Sequence, residues 1–192
     1  MKRIALLLAA LFVVAGCSTG SDAVATGTEF NFVSPGGQTD ITYEGDERQQ
    51  IPEMRGDSLM EEGTELRLSS YRGEVVVLNI WGAWCPPCRV EAPQLQKVQD
   101  AYADKGVQVL GIDFRDPQRS APQDFMRDTG LTYPSIYDPS GRSLLPLKGY
   151  PRAVVPSTIV LDKEHRVAAV FLRDLLAEDL TPLIDRLLAE KS

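Results

Sequence analysis

The feature that most constrains this chain is the run Val75-Val76-Val77-Leu78-Asn79-Ile80-Trp81, apolar except at Asn79 and rich in β-branched side chains, which leads straight into Gly82-Ala83-Trp84-Cys85-Pro86-Pro87-Cys88. An apolar run without polar alternation is the pattern of a strand covered on both faces. Beyond the cysteines, Val90, Leu95, Val98 and Tyr102 recur at helical spacing, and Gly106 supplies a stop. A buried strand that turns directly into a helix commits the chain to a layered α/β architecture.

The rest of the sequence fills in that architecture. Val107 to Phe114 reads as a second buried strand, and Pro122 to Asp128 as a helix ended by Gly130. Ser157 to Leu161 and Val167 to Phe171 are two further strands, and the short polar turn Asp162 to Arg166 between them requires antiparallel pairing. Leu66-Arg67-Leu68 is a short strand candidate, and Leu175 to Ala189 an amphipathic closing helix. Near the start, Glu29 to Val33 and Thr39 to Tyr43 alternate apolar and polar residues around Ser34-Pro35-Gly36-Gly37-Gln38, which predicts a β-hairpin. The expected fold is a central mixed β-sheet flanked by helices over residues 52–192, with an N-terminal hairpin extension over 29–51.

Met1-Lys2-Arg3 followed by the apolar stretch Ile4 to Val14 reads as a signal segment. At about 1.5 Å per residue such a helix is too short for a hydrocarbon core of roughly 30 Å. Gly16-Cys17 after small residues resembles a bacterial lipoprotein signal, so the expectation is cleavage after residue 16, a lipid on Cys17, and a polar tether over 17–28. The domain would then sit outside the cytoplasm. Twenty basic against 27 acidic residues, a net charge of −7, excludes charge-driven binding to nucleic acid or anionic membrane. With Cys17 lipidated, Cys85, Cys88 and His165 are too few for a four-ligand zinc site, and His165 falls in a polar turn expected at the surface.

Cys85 and Cys88 therefore carry the chemistry. Two cysteines three positions apart across a helix start can close and open a disulfide with little backbone movement. A helix beginning just after Cys85 makes that residue the N-cap, where unpaired amides and the dipole favour a thiolate. Pro86 and Pro87 suit the first turn and have no N–H of their own. The Cys88 amide is then the first donor able to reach the Cys85 sulfur. Cys85 is expected to be the exposed nucleophile and Cys88 the resolving thiol behind it, with the pair itself as the redox centre and no metal or other cofactor. A structural disulfide or a metal clamp would not need this placement at a strand-to-helix turn.

The run Leu78 to Cys88 followed by Glu91 and Pro93, the segment Thr132-Tyr133-Pro134 with Asp138 and Gly141, and Val155-Pro156-Ser157-Thr158 before a strand together resemble the membrane-tethered thiol-disulfide oxidoreductases of the TlpA/ResA type. The resemblance extends from about Pro52 to the end. It implies a thioredoxin fold on the outer face of the cytoplasmic membrane, working as a monomer. It further implies a membrane electron donor of CcdA/DsbD type and reduction of apocytochrome c cysteines before haem attachment. Wider members oxidise or isomerise disulfides of exported proteins, or serve copper insertion. Those two activities, the second as a copper(I) carrier using both thiolates, stand as alternatives.

Residue by residue, the resemblance makes Glu91 a charged group beside Cys85 and Cys88, able to relay a proton to Cys88. A plainer alternative is an exposed first-turn glutamate that complements the helix dipole. Asn79 stands where ordinary thioredoxins have a buried aspartate. Pro156 is implied to be cis, with the Val155 backbone facing the disulfide and able to pair with an extended substrate. Trp84, Pro86 and Pro87 complete the implied substrate face, with Trp84 half exposed and Trp81 packing beneath. The approach Tyr150 to Val155 is denser than is usual in the family. Asp113, Arg115 and Asp116 are expected on a solvated loop, forming a charged rim at most.

Overall fold

The computed structural model describes residues 29–190. The apolar leader, Cys17 and the tether expected over 17–28 lie outside the described residues. Strand β1 spans Asp40–Thr42, β2 Arg55–Asp57, β3 Glu65–Arg67 and β4 Val75–Trp81; helix α1 (Pro86–Tyr102), β5 (Val107–Phe114), α2 (Ser120–Thr129), β6 (Ser135–Asp138), β7 (Ser157–Leu161), β8 (Val167–Phe171) and α3 (Ala177–Ala189) follow. Every residue of β4 is buried, as the unbroken apolar run predicts. The strand pairs parallel with β5 and antiparallel with β7, which places it inside a mixed six-stranded sheet of order β1-β8-β7-β4-β5-β6. β2 and β3 form a separate pair, tied to the sheet through a bridge from Ser58 to Ile136.

Alternation along β4 divides the core in two. Val75, Val77 and Trp81 pack with Leu95 and Val98 of α1, Phe125 of α2 and Leu180, Ile184 and Leu187 of α3. Val76, Leu78 and Ile80 face the other way, onto Phe30, Phe32, Ile41, Leu147 and Tyr150. The crossovers β4-α1-β5-α2-β6 advance in one direction across the sheet, so both helices cover the same face. The opposite face is closed by the N-terminal segment and the loop between β6 and β7. Each aliphatic side chain so buried contributes about 1.5–3 kcal/mol. Among the described residues no helix is long and apolar enough to cross a membrane.

Two expectations need correction. The alternating runs at 29–33 and 39–43 do not pair as a hairpin: Glu29 and Asn31 bridge to Gln50 and Lys148, and β1 pairs antiparallel with β8, Ile41 opposite Val170. The physical reason is the edge of β8, a fully buried strand whose outer N–H and C=O groups would lack partners. Pairing with β1 satisfies those groups, and the apolar residues of both runs still reach the sheet face.

His165 is not at the surface. It is 1% exposed, its Nε2 lies 3.0 Å from the Tyr71 carbonyl, and the segment Gln49 to Ile51 covers its turn through bonds from Ile51 N to His165 O and from Val167 N to Gln49 O. Burial lowers its pKa, so the imidazole is a neutral packing residue.

Candidate active site

The C-terminal end of β4 delivers the chain through Gly82-Ala83-Trp84 to Cys85, which caps α1. The Cys88 amide donates to Cys85 Sγ at 3.3 Å, and Pro86 and Pro87 occupy the first turn, where their missing donors are not needed. Cys85 and Cys88 form a disulfide with Cα atoms 5.3 Å apart. Cys88 is fully buried, and Cys85, expected to be exposed, is itself only 2% exposed. Its sulfur is roofed by the Val155 carbonyl, 3.7 Å away.

That roof belongs to the loop before β7. The Val155–Pro156 peptide is cis, as the resemblance implied. Its approach is anchored by a relay that the sequence did not disclose: Tyr150 OH donates to Ser157 Oγ at 2.7 Å, and Ser157 Oγ donates to the Val154 carbonyl at 3.0 Å. The dense run Tyr150 to Val155 is thus a fastened support for the carbonyl over Cys85.

Trp84 is 52% exposed, and its Nε1 donates to the Phe114 carbonyl at 2.9 Å, so the indole stands as a pinned edge beside Pro86 and Pro87, which are also exposed. Gly82 makes room for it, since a Cβ there would fall 2.5 Å from Trp84 Nε1. Trp81 is buried and donates to Ser135 Oγ at 3.0 Å.

Glu91 lies one turn beyond Cys88 on the inner face of α1 and is 1% exposed, which rules out the solvated first-turn role. Its Oε2 accepts from Asn79 Nδ2 at 2.9 Å and its Oε1 from the Leu175 amide at 3.1 Å. Asn79 Nδ2 also donates to Thr158 Oγ1 on β7, at 3.0 Å. Desolvation pushes the carboxyl up to about 7, even though both of these donors favour the charged form.

The loop after β5 also differs from expectation. Asp113 is fully buried, and neither of its carboxyl oxygens has a hydrogen-bond partner among the described residues. Burial, and after it the neighbouring Asp116 carboxyl, raises Asp113 to about 9. Asp116 is buried too and accepts from the Ala83 amide at 2.7 Å, while Tyr137 OH donates to the Asp116 carbonyl at 3.1 Å. Of the three residues expected in a solvated rim, Arg115 alone is exposed, with its guanidinium over the Phe114 ring. The acids are folded under the Trp84 turn because β5 runs beside β4 up to the pair Trp81–Asp113. An aspartate inside the apolar run Val107 to Phe114 was the available signal. Among the described residues no group of three or more His, Cys, Asp or Glu side chains is placed to hold a metal ion.

A mixed sheet with a Cys-x-x-Cys disulfide at a helix start, faced by a cis-proline loop, defines a protein of thioredoxin-like fold. Residues 48–170 match the AhpC/TSA family, and the chain belongs to that family. Among curated relatives it is 34% identical over 119 residues to the thiol-disulfide oxidoreductase ResA of Geobacillus thermodenitrificans, covering 62% of this chain and 66% of that protein. The ResA of Geobacillus kaustophilus is 35% identical over 118 residues with the same coverage, so the match spans just under two thirds of these relatives' length. Two solved structures are more similar still. A secreted thiol-disulfide isomerase from Corynebacterium glutamicum superposes with a TM-score of 0.81 at 49% identity, covering 84% of this chain and 98% of that one. A DsbF homologue from Corynebacterium diphtheriae gives 0.78 at 48% identity, covering 82% and 99%.

Proposed function

We propose that this protein is a thiol-disulfide oxidoreductase of exported proteins, held at the outer face of the cytoplasmic membrane by a lipid on Cys17, and that it reduces the cysteine pair of apocytochrome c. The observation that carries the redox reading is the Cys85 sulfur, which accepts the Cys88 amide at a helix N-terminus and lies under the Val155 carbonyl. In the reduced state Cys85 is the thiolate favoured by that amide and by the helix end. An extended substrate pairs along the Val155 backbone, with Trp84, Pro86 and Pro87 as its apolar seat.

Cys85 then attacks one sulfur of the substrate disulfide, forming a mixed disulfide and releasing the other substrate sulfur as a thiolate. Glu91 takes the proton of Cys88, whose thiolate attacks Cys85 Sγ and frees the second substrate sulfur. Two electrons have passed to the substrate, and the enzyme is left with the disulfide. A membrane thiol donor of CcdA/DsbD type restores the dithiol. An ionised Glu91 disfavours a second anion on the pair, which destabilises the reduced form and makes it the better reductant.

Replacing Cys85 by Ser abolishes exchange, whereas Cys88→Ser accumulates a mixed disulfide with the physiological partner. Capture of apocytochrome c by Cys88→Ser in native membranes supports the reductase; capture of many unrelated exported proteins overturns it in favour of oxidation or isomerisation. The similarity to the Corynebacterium glutamicum protein named an isomerase makes that second reading the specific competitor.

A further inference from the structure

Glu91 receives one of its two hydrogen bonds from outside the motif. The donor is the Leu175 amide, in the short loop between β8 and α3. The Arg173 guanidinium bridges that loop to the elements on either side of it. Arg173 donates through Nε and Nη2 to the Asp40 carboxylate of β1, at 2.9 and 2.8 Å, and through Nη1 to the Asp174 carbonyl at 3.0 Å and to Asp179 of α3 at 3.3 Å. Asp179 also accepts from the Leu176 amide at 2.8 Å, and the Leu172 amide bonds to the Thr39 carbonyl at 2.7 Å. The segment 172–176 is thereby held from both sides, by β1 and by the first turn of α3, with the Leu175 amide between the two clamps.

We infer that Arg173 is a positioning residue for thiol exchange: fixed by Asp40 and Asp179, it holds the Leu175 amide on Glu91 and so governs the proton that this carboxylate carries beside Cys88. The inference rests on the role proposed above for Glu91. It gives the N-terminal segment a function, because Asp40 belongs to β1, the strand this segment adds to the sheet edge.

The surroundings of Glu91 fit such control. Asn79 faces it from β4, the Leu175 amide with Arg173 and Asp174 from the loop, Tyr133 from the segment before β6 and Tyr150 from the loop before β7, and Cys88 stands three positions before it on the same helix. Both phenols are buried and pushed to higher pKa, so they stay neutral. Arg173 is the cation in this set and favours the carboxylate, against Asp174. Its ion pairs are partly exposed and add little to global stability, so they can be removed with the fold kept.

The test compares the full chain with Arg173→Gln, Asp40→Asn and Arg173→Lys, each also in a Glu91→Gln background. It reads the pH profile of reduction of a disulfide-bonded Cys-x-x-Cys-His peptide and the Glu91 carboxyl titration by carbon NMR. Loss of the amide and the cation leaves the proton on Glu91 to higher pH. With Arg173→Gln, the rising limb and the carboxyl titration therefore both move up by about half a pH unit, roughly a threefold loss of rate on that limb. Asp40→Asn gives a smaller shift in the same direction, Arg173→Lys restores part of it, and none of the three moves the profile once Glu91 is Gln. An unshifted Glu91 titration in both Arg173→Gln and Asp40→Asn overturns the clamp. A Glu91→Gln chain with the full wild-type pH profile instead overturns the role of Glu91 itself, whatever the clamp does to its titration.

Discussion

Two of the buried carboxyl groups that flank the cysteine motif are built differently. Glu91, under Cys88, is met by two donors, the Asn79 amide and the Leu175 N–H. Asp113, beneath the Trp84 turn, has no donor among the described residues and faces another acid, Asp116. Desolvation acts on both, but only at Glu91 is it opposed by hydrogen bonds, and the outcome is about 7 in one case and about 9 in the other. Near neutrality the first group exchanges its proton and the second keeps it. Burial of an acid therefore has no fixed outcome, and the donors and charges that meet the carboxyl decide how far its pKa rises.

The largest test of this contrast is Glu91→Gln. It removes the proposed base and keeps the size, so peptide-disulfide reduction at pH 8 should fall about 10²-fold, within the usual range for losing a positioned general base. The inflection near pH 7 should vanish from the rate profile. A variant whose rate still rises through that inflection would assign it to a thiol instead.

Asp113→Asn should behave in the opposite way, with the rate close to wild type and the stability changed. An acid whose pKa is raised on folding keeps its proton in the native state where the unfolded chain has lost it. Stability therefore falls as pH rises from just above the ordinary value of 3.8 to about 9. The amide removes that slope. Melting curves should show Asp113→Asn gaining on the order of 1–2 kcal/mol at pH 8 and much less at pH 4. An equal change at both pH values would show that the charge of Asp113 is not what matters.

The same contrast marks how far the sequence could be read. The strand β4, its turn into α1, the N-cap at Cys85 and the antiparallel pair β7–β8 were all legible, because each is written in contiguous residues: an apolar run, two prolines after a cysteine, a short polar turn. Val155–Pro156 was legible as a motif before a strand. What could not be read was decided by segments distant in the chain. Asp113 and Asp116 are buried because the 82–84 turn folds over them, and His165 because Gln49 to Ile51 crosses its turn. The runs at 29–43 have the alternation of strands, yet their partners are Gln50, Lys148 and β8 rather than each other. Periodicity names the buried face of a strand and leaves its neighbour open.

The smallest expected effect lies at the third polar element of the site, the Tyr150–Ser157 relay that supports the roof over Cys85. Unlike the two acids it is neutral and fully paired, so its loss should be a matter of geometry and insensitive to pH. In Tyr150→Phe the ring remains packed against Phe32, at a centroid distance of 5.6 Å, and only the bond to Ser157 Oγ disappears. Ser157 still donates to the Val154 carbonyl, so no buried donor is left without a partner. The cost in stability should be about 1 kcal/mol, equal at pH 5 and pH 8. The kinetic consequence belongs to substrate pairing: a looser Val155 carbonyl should raise KM for the peptide disulfide about two- to threefold and leave kcat unchanged, as expected when a contact made equally in ground and transition states is weakened. A fall in kcat with KM unchanged would instead place the relay in the chemistry of the sulfurs.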